Sequence, residues 1–540
     1  MEKKLEKMNN LMTYKIASDE LTLQEKVGQF FMPAAFINDT EEEILRLEEL
    51  IKKNHVGGLC FFHSRASAAT NYEGVTEIPY NAKSLETLRK LIKRYQRVAK
   101  YPLLISIDAE WGLAMRIEET QQYPYALTLG ALAQNNDLIF NVGRNIAIDC
   151  KKAGIHWNLA PVVDINTNPG NPVIGHRSFG EQREKVCEKA LKFIKGTQSE
   201  GVLTSIKHFP GHGDTATDSH LGLPIIGKSK ETLLKNELYP FQKLIGEGVD
   251  SVMVGHLSVP DLAHGKRLSS SLSKDIIKGL LRNEMGFKGI VISDALNMHA
   301  VSKNYTVKGQ LEWLAFDAGN DILCFAEHTP EGIQTIMEHA SFDQIEESFQ
   351  RIWRLKEKAM QAQEQKSGPN TNHLDSNELN KKLAQDSLTF FKGNENQIKE
   401  FIKNGFYGVA VGNNTDNPFF DSLGSNILFN RLPLLDGESK TKDPLENEKD
   451  VLLAIFPPRT SPKELFGLAK EIKLINELIA RKNAVVYLFG NPYVLNHINC
   501  EKAKTIVIAY QDFTVFQEVA AQHFLGRHKA KGVLPVTIKD

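Results

Sequence analysis

The chain has 540 residues, more than a single hydrophobic core accommodates, so two or three domains are expected. Hydrophobic residues make up 41% and charged residues 24%, as in ordinary globular proteins. The net charge of −1 excludes a general electrostatic field for nucleic acid or an anionic membrane.

The five cysteines are scattered without a CxxC pair, and their odd number argues against a full disulfide framework. Cys60 and Cys324 lie in apolar runs and are expected to be core residues. The N-terminus lacks the apolar segment of a secretory signal, and no run of 18 apolar residues predicts a transmembrane helix. We therefore expect a cytoplasmic protein without membrane insertion, although a trimmed signal would leave the same sequence.

Short apolar runs alternate with amphipathic stretches over about the first 358 residues. Helical periodicity is clear in Glu41–Asn54 and Ser84–Val98, with Ser84 as a favoured N-cap type, and also at 184–200 and 274–282. Strand and helix repeat about eight times, which predicts a (β/α)8 TIM-like barrel, with a doubly wound open sheet as the competing topology. The predicted strands are 27–33, 58–62, 103–107, 156–160, 202–206, 251–254, 289–293 and 322–325.

Residues 361–377 are polar and have the composition of a linker. We therefore predict a barrel domain at 1–360 and a second, smaller α/β domain at 378–540, with the form of a three-layer αβα sandwich. No GxGxxG motif indicates a dinucleotide site in the second domain. Its polar stretches 413–416 and 459–461 are interpreted as surface loops, with contacts to an active site as the alternative. The predicted elements are strands at 407–411, 450–455, 484–488 and 504–508 and helices at 462–481 and 514–524.

The stretch 207–224 brings Lys207, three histidines and two aspartates together directly after a predicted strand. Its glycines and prolines predict a loop, and the irregular histidine spacing does not favour a metal site. Asp218 and His220 are two residues apart, so in an extended segment they point to the same side. The carboxylate would then fix the tautomer of the imidazole for general acid–base work, with a satisfied structural histidine as the alternative.

Three further strand ends carry charged side chains: Ser293-Asp294, the stretch 108–116, and the stretch 158–164, which continues to 175–180. Taken singly, each also fits a helix cap or a solvated loop. In a barrel, however, the carboxyl ends of the strands share one cleft. Asp, Lys, His and Arg together with Trp111 suit a ligand with many hydroxyls, such as a sugar.

The motif Lys207-His-Phe-Pro-Gly-His-Gly-Asp-Thr, followed by Asp218-Ser-His220 and Leu223-Pro224, resembles glycoside hydrolase family 3, specifically its β-N-acetylhexosaminidase branch. The Ser293-Asp294 and Pro161-Val-Val-Asp164 motifs occur in the family's order, and the resemblance covers about 21–538. It implies Asp294 as the catalytic nucleophile and His220 as general acid/base, partnered by Asp218. It also implies that five residues bind the terminal sugar: Asp108, Arg116, Arg177, Lys207 and His208.

The resemblance implies a retaining exo-β-N-acetylglucosaminidase that acts by double displacement on muropeptides in cell-wall recycling. A phosphorylase and a β-glucosidase of the same family stay open as alternatives, as does an inactive sugar-binding protein. Ala109, Trp111 and Leu113 depart from the family's Gln, Gly and Arg, which affects the expected shape of the pocket. No metal or organic cofactor is expected. The expected partner is a small glycan or muropeptide substrate, with no nucleic acid and a possible homodimer.

Overall fold

The structure is a computed structural model that describes residues 11–63, 79–134, 136–217, 222–364, 374–412, 417–432, 450–457, 469–481 and 483–539. The chain forms two compact units. The first contains the described residues of Met1–Tyr123, Ile139–Ile165 and Val186–His373. The second contains those of Pro124–Leu138, Asn166–Lys185 and Leu374–Asp540. Two stretches inside the predicted barrel domain thus belong to the second unit.

The first unit is built on parallel strands that pair in chain order. They are β1 (Phe31–Met32), β2 (Ala34–Phe36), β3 (Gly58–Phe62), β4 (Leu104–Ile107), β5 (Trp157–Asn158), β6 (Leu203–Phe209), β7 (Ser251–Val254), β8 (Ile290–Ser293) and β9 (Leu323–Cys324). In the sheet, the seven strands β2 to β8 lie side by side in chain order.

The ring of strands closes through β9. β9 pairs with β1 in the same parallel sense, and Ile292 of β8 forms a parallel bridge with Ile322. The Leu323 N–H donates to the Phe30 carbonyl at 2.8 Å, and the Ser293 N–H donates to the Ile322 carbonyl at 3.0 Å. Pro33, which has no N–H to donate to a strand ladder, is the single residue between β1 and β2. The predicted barrel is therefore confirmed.

Buried apolar runs form the strands, as the sequence predicts: every residue of β4, β6, β7 and β8 is buried. The predicted strand 27–33 is wrong at its start, because Leu23–Gly28 is a helix. Thr22 and Glu25 form a capping box that begins this helix, a T-x-x-E signal that outweighs the apolar run. Ser84 is not an N-cap; that position belongs to Lys83, and Ser84 donates to the Glu118 carbonyl.

Helices and short turns connect the strands of the barrel. The helices are Tyr14–Glu20, Leu23–Gly28, Glu41–Asn54, Ser84–Val98, Asp137–Ala153, Arg183–Ser199, Lys230–Lys235, Tyr239–Gly246, His299–Ser302, Gln310–Ala318, Thr329–His339 and Phe342–Glu364. Asp275–Glu284 is a π-helix, and Leu113–Met115, Pro260–Leu262 and Ser270–Leu272 are 3-10 turns. Among the described helices, none is both long and apolar enough to cross a membrane.

The second unit is built on a mixed six-stranded sheet. Its strands are β10 (Thr389–Lys392), β11 (Tyr407–Gly412), β12 (Asn430–Leu432), β13 (Asp450–Phe456), β14 (Asn483–Leu488) and β15 (Thr505–Ile508). They lie in the order β10-β15-β14-β13-β11-β12, and β10 alone is antiparallel to its described neighbour.

Alternate residues of β13 pack into separate apolar cores on opposite faces of this sheet. Val451 and Leu453 belong to one core, and Leu452 and Ala454 to the other. The helices of this unit are Ala126–Gly130, Ser376–Ser387, Glu395–Lys403, Pro418–Gly424, Ala469–Arg481 and Thr514–Phe524, with 3-10 turns at Gly175–Arg177, Pro492–His497 and Cys500–Lys502. The α/β fold class with a second sheet domain is confirmed.

Part of the stretch predicted as a linker is helical. Residues up to 364 continue the helix Phe342–Glu364, and Ser376 begins the helix Ser376–Ser387. Gln, Glu and Ala are good helix formers, which accounts for the continuation into this polar stretch. The polar stretches at 413–416 and 459–461 lie outside the described residues.

Candidate active site

Several of the predicted site residues lie at the carboxyl ends of the barrel strands. Asp108 follows β4, Lys207 and His208 lie in the last part of β6, and Asp294 follows β8. The strands are parallel, so these ends lie on one rim of the barrel. Asn158, at the end of β5, fixes the segment after β4, because its amide accepts from the Ala109 N–H at 3.0 Å and donates to the Ala109 carbonyl at 3.2 Å.

Lys207 is the centre of a buried charge cluster. Its Nζ lies 2.7 Å from Asp108 Oδ1 and 2.9 Å from Glu110 Oε1, and its side chain is 2% exposed. Arg116 Nη2 donates to Asp108 Oδ2 at 3.0 Å. Burial raises the pKa of Asp108, but the positive charges of Lys207 and Arg116 outweigh it and hold the pKa below its ordinary value. The cluster therefore presents ionised donors and acceptors with balanced charge.

Glu110 belongs to this cluster although the sequence did not single it out. It lies in the quoted stretch 108–116, and the signal that could have found it is its position two residues after Asp108. Arg116 is held on its other side by an aromatic ring, since its guanidinium lies 5.1 Å from the ring centroid of Phe62. Its Nε is buried and has no hydrogen-bond partner among the described residues.

A second buried hub is formed by Asp164. Its carboxylate accepts from the His208 N–H at 3.2 Å and the His212 N–H at 2.7 Å, and His208 Nδ1 lies 2.7 Å from Oδ2. Burial raises the pKa of Asp164, but the interactions with His208 outweigh it and lower the pKa. An ionised Asp164 accepts a proton-bearing Nδ1, and this fixes the ring of His208. Gly255 allows the close approach here, because a Cβ would lie 3.0 Å from the Cβ of His208.

His212 makes local structural contacts and is not placed as a metal ligand. Its Nδ1 lies 2.7 Å from Thr215 Oγ1, and burial together with the charge of His208 lowers the pKa of His212 to about 4. Within the described ranges, no group of three or more His, Cys, Asp or Glu could hold a metal ion. The Lys207–His208 and Phe209–Pro210 peptide bonds in this segment are cis.

Asp294 is oriented by the backbone around it. Its N–H donates to the Val254 carbonyl at 2.9 Å, and its Oδ1 accepts from the Ala295 N–H at 2.8 Å. His256 supports the same turn, because its Nε2 lies 2.9 Å from the Ala295 carbonyl and its Nδ1 lies 2.8 Å from Ser271 Oγ. The carboxylate therefore has a defined rotation at the end of β8.

The carboxylates of Asp108 and Asp294 act on one buried thiol. The pKa of Cys324 is raised by a hydrogen bond with Cys60 and by burial, and the negative charges of Asp108 and Asp294 raise it further. Asp294 also acts on the pKa of His212. Asp108 follows β4, the His208–His212 segment begins at the end of β6 and Asp294 follows β8, so these residues leave parallel strands at the same rim of the barrel.

The other predicted site residues are Asp218, His220 and Arg177. Asp218 and His220 fall at 218–221, outside the described residues. Arg177 belongs to the second unit, at the end of the 3-10 turn Gly175–Arg177, where its Nη1 donates to the Val173 carbonyl at 3.3 Å. The remaining predicted sugar-binding residues, Asp108, Arg116, Lys207 and His208, belong to the first unit.

A closed parallel barrel with charged groups at its strand ends is the arrangement of barrel enzymes that act on polar small molecules. Residues 22–355 match the profile described as "Glycosyl hydrolase family 3 N terminal domain". The match covers more than half of the chain, and the chain belongs to glycosyl hydrolase family 3. The family resemblance seen in the sequence is thus confirmed.

The chain is similar to several proteins whose names describe an enzyme activity. Beta-hexosaminidase A of Pseudoalteromonas piscicida is 33% identical over 291 residues, which are 51% of this chain and 46% of that protein. Beta-N-acetylglucosaminidase/beta-glucosidase of Cellulomonas fimi is 28% identical over 320 residues, 58% of this chain and 52% of that protein. The chain spans about half the length of these curated relatives. The structure of a family 3 beta-N-acetylglucosaminidase from Paenibacillus sp. str. FPU-7 aligns with a TM-score of 0.77 and 27% identity, covering 96% of this chain and 99% of that one.

Proposed function

We propose that the chain is a retaining exo-β-N-acetylglucosaminidase. The observation that carries the proposal is that Asp294, after β8, and the Lys207–Asp108–Arg116 cluster, at the ends of β6 and β4, belong to the same rim of the parallel barrel. An anionic nucleophile beside a polar cluster matches what hydrolysis of a terminal sugar requires. The names of the similar proteins from Pseudoalteromonas, Cellulomonas and Paenibacillus support N-acetylhexosamine as the sugar.

The terminal sugar is bound by hydrogen bonds from the charged groups at the rim. Asp108, Arg116, Lys207 and His208 of the first unit take this role. Carboxylates and guanidinium groups bind neighbouring hydroxyls in pairs, which fixes a sugar ring more firmly than single contacts do. Asp164 keeps the ring of His208 in place, and the positive charges keep Asp108 ionised as an acceptor.

Catalysis proceeds by double displacement. Asp294 Oδ2 attacks the anomeric carbon while His220, partnered by Asp218, donates its proton to the departing oxygen, so the bond to the leaving group breaks and a glycosyl ester forms. His220 then takes a proton from water as the water attacks the same carbon, and cleavage of the ester restores Asp294. Two inversions give net retention. The Ala295 N–H, which donates to Oδ1 at 2.8 Å, sets the rotation that presents Oδ2.

The substrate proposed is a small glycan with terminal β-GlcNAc, in particular GlcNAc-β-1,4-anhydroMurNAc peptides released from the cell wall. The family resemblance of the 207–224 motif supports this source. A β-glucosidase activity is the second candidate, and the double name of the Cellulomonas relative favours it. Trp111, Ala109 and Leu113 replace residues of the commoner family motif and would shape the pocket that discriminates the two sugars.

The test is turnover of para-nitrophenyl β-GlcNAc and para-nitrophenyl β-glucoside at pH 7, with and without phosphate, with product identification. Free GlcNAc in both buffers is the expected result. Faster turnover of the glucoside would replace the sugar assignment, and GlcNAc-1-phosphate as the product would assign a phosphorylase. His220→Ala should be slow on poor leaving groups, and a variant as fast as wild type would remove His220 from the mechanism.

A further inference from the structure

A buried histidine–glutamate pair lies at the end of β3, beside the proposed sugar-binding cluster. His63 directly follows β3, and its Nε2 is hydrogen-bonded to Glu118 Oε1, with the two side chains 9% and 18% exposed. The Asn81 N–H also donates to Glu118 Oε1, at 3.1 Å. The mechanism proposed above does not use this pair.

The end of β3 contacts both Arg116 and Glu118. Phe62 and His63 are consecutive residues at the end of β3, and they contact Arg116 and Glu118, which are alternate residues of the segment after the 3-10 turn Leu113–Met115. Ile117, between these two, is 1% exposed. The segment is therefore fixed to the strand end at two points, one through a ring and one through a hydrogen bond. β3 also pairs directly with β4, the strand that Asp108 follows.

A purely structural role accounts poorly for the chemistry of the pair. His63 Nδ1 and Glu118 Oε2 are buried and have no hydrogen-bond partner among the described residues. Buried polar atoms without partners are costly, and well-packed apolar side chains would hold a loop at least as firmly. Burial raises the pKa of Glu118, but backbone N–H groups, Ser84 and His63 outweigh it and lower the pKa, so the carboxylate is ionised at neutral pH. A hydrogen bond to an ionised carboxylate is directional, which an apolar contact is not.

Direction matters most for the long side chain of Arg116. A free arginine has many rotamers, and each immobilised rotamer-rich side chain lowers binding affinity. Here the guanidinium is held between Phe62 and Asp108 Oδ2, and its buried Nε keeps an unused donor. Backbone placement at Arg116 decides whether both contacts form at once.

We propose that His63 and Glu118 are positioning residues that hold Arg116 in the orientation in which it binds the terminal sugar. This inference rests on the proposed function. It extends that function to two residues that touch neither the sugar nor the nucleophile and act through Arg116.

A double-mutant cycle tests the inference. Glu118→Ala, Arg116→Ala and the double variant are compared on para-nitrophenyl β-GlcNAc, with Glu119→Gln as the matched control. Glu119 is the next residue along, is exposed and bonds Tyr80 instead. Glu118→Ala should raise KM and lower kcat/KM about tenfold in the wild-type background, because coupled residues lose a shared interaction. In the Arg116→Ala background the same change should cost less than about twofold.

Equal losses in both backgrounds, or a lower kcat at unchanged KM, would overturn the inference, since both indicate a general loss of folded enzyme. If Glu118→Ala does not fold, the isosteric Glu118→Gln is read in the same cycle, with an expected coupling of about threefold because the amide oxygen still accepts from His63. Wild-type protein inactive on both glycosides would instead reject the proposed function. If the single variant Arg116→Ala kept the full activity of the wild-type enzyme, the role of Arg116 itself would be rejected.

Discussion

Removal of the buried Lys207 ammonium should destabilise the barrel in a pH-dependent way. The Nζ of Lys207 lies 2.7 Å from Asp108 and 2.9 Å from Glu110, in side chains that are 2%, 15% and 6% exposed. In Lys207→Met the stem keeps its volume, but two carboxylates remain close together in a buried site with Arg116 as their compensating cation. Removal of one of the two buried cations leaves a net negative charge in the site, which is among the few single changes that cost several kcal/mol.

Breaking a buried ion pair costs about 3–5 kcal/mol. For a unit larger than 150–250 residues, about 2 °C of Tm corresponds to each kcal/mol, so the expected loss is about 6–10 °C at pH 7. In wild type the pKa of Asp108 is below its ordinary value, so this carboxylate stabilises the fold above pH 4 and loses that contribution as the pH falls through the folded pKa. Without Lys207, burial and the charge of Glu110 would raise the pKa of Asp108. The penalty should therefore be largest at pH 8 and shrink towards pH 5.

Thermal unfolding followed by far-UV circular dichroism at pH 8, 7, 6 and 5 measures this difference. Lys195→Met is the matched control, because Lys195 lies 3.7 Å from Glu247 with both side chains about half exposed. Exposed pairs contribute about 0–1 kcal/mol, so the control should lose no more than about 2 °C at any pH. A Lys207→Met variant that unfolds within 2 °C of this control, or whose deficit grows towards pH 5, would refute the reasoning.

Three further changes separate the roles of the site residues. Asp294→Asn should lower kcat/KM for para-nitrophenyl β-GlcNAc more than about 100-fold with a Tm within about 2 °C of wild type, since Ala295 can still donate to the amide oxygen; turnover within tenfold of wild type would contradict the nucleophile assignment. Asp164→Asn should lower kcat/KM about 10–100-fold in the same assay, because it weakens the charge-assisted bond that fixes His208; an unchanged rate would mean that the ring is fixed otherwise. The difference in Tm between wild type and His212→Gln should become smaller as the pH falls from 6.5 to 4. Burial holds the pKa of His212 at about 4, so wild type binds fewer protons folded than unfolded in this window and loses stability; a constant deficit would contradict the buried neutral state.

The elements that the sequence predicted well are those whose pattern is local. Glu41–Asn54 and Ser84–Val98 have the predicted bounds, because helical periodicity and end signals lie within each segment. β10 was missed, since Thr389–Lys392 is a short edge strand with one fully buried residue and no regular alternation. The helix Leu23–Gly28 was missed because an apolar run was favoured over a capping box.

The candidate site shows the same division. Asp108 and Lys207 could be placed together, because both follow predicted barrel strands and the rim of a barrel is shared. The contact of Lys207 with Glu110, and the contact between His63 and Glu118, join residues far apart in the chain, and the sequence does not reveal such pairings. The hub at Asp164 was visible only as a motif, since the N–H groups that donate to it belong to His208 in β6 and to His212 after it, both more than 40 residues further along the chain.

The composition of the second unit has a consequence for synthesis of the chain. Thr128 accepts a hydrogen bond from Gln511 at 2.6 Å, and the Glu181 N–H donates to the Pro535 carbonyl at 3.2 Å, all within that unit. A ribosome that adds about 5–20 residues per second needs roughly 20–70 s to make the intervening 350 or so residues. During this interval the early segments wait without their final neighbours. A nascent chain stopped near residue 360 would therefore carry two segments that bind its missing C-terminal part. The N-terminal and C-terminal fragments, supplied as separate chains, are candidates for reassembly in trans.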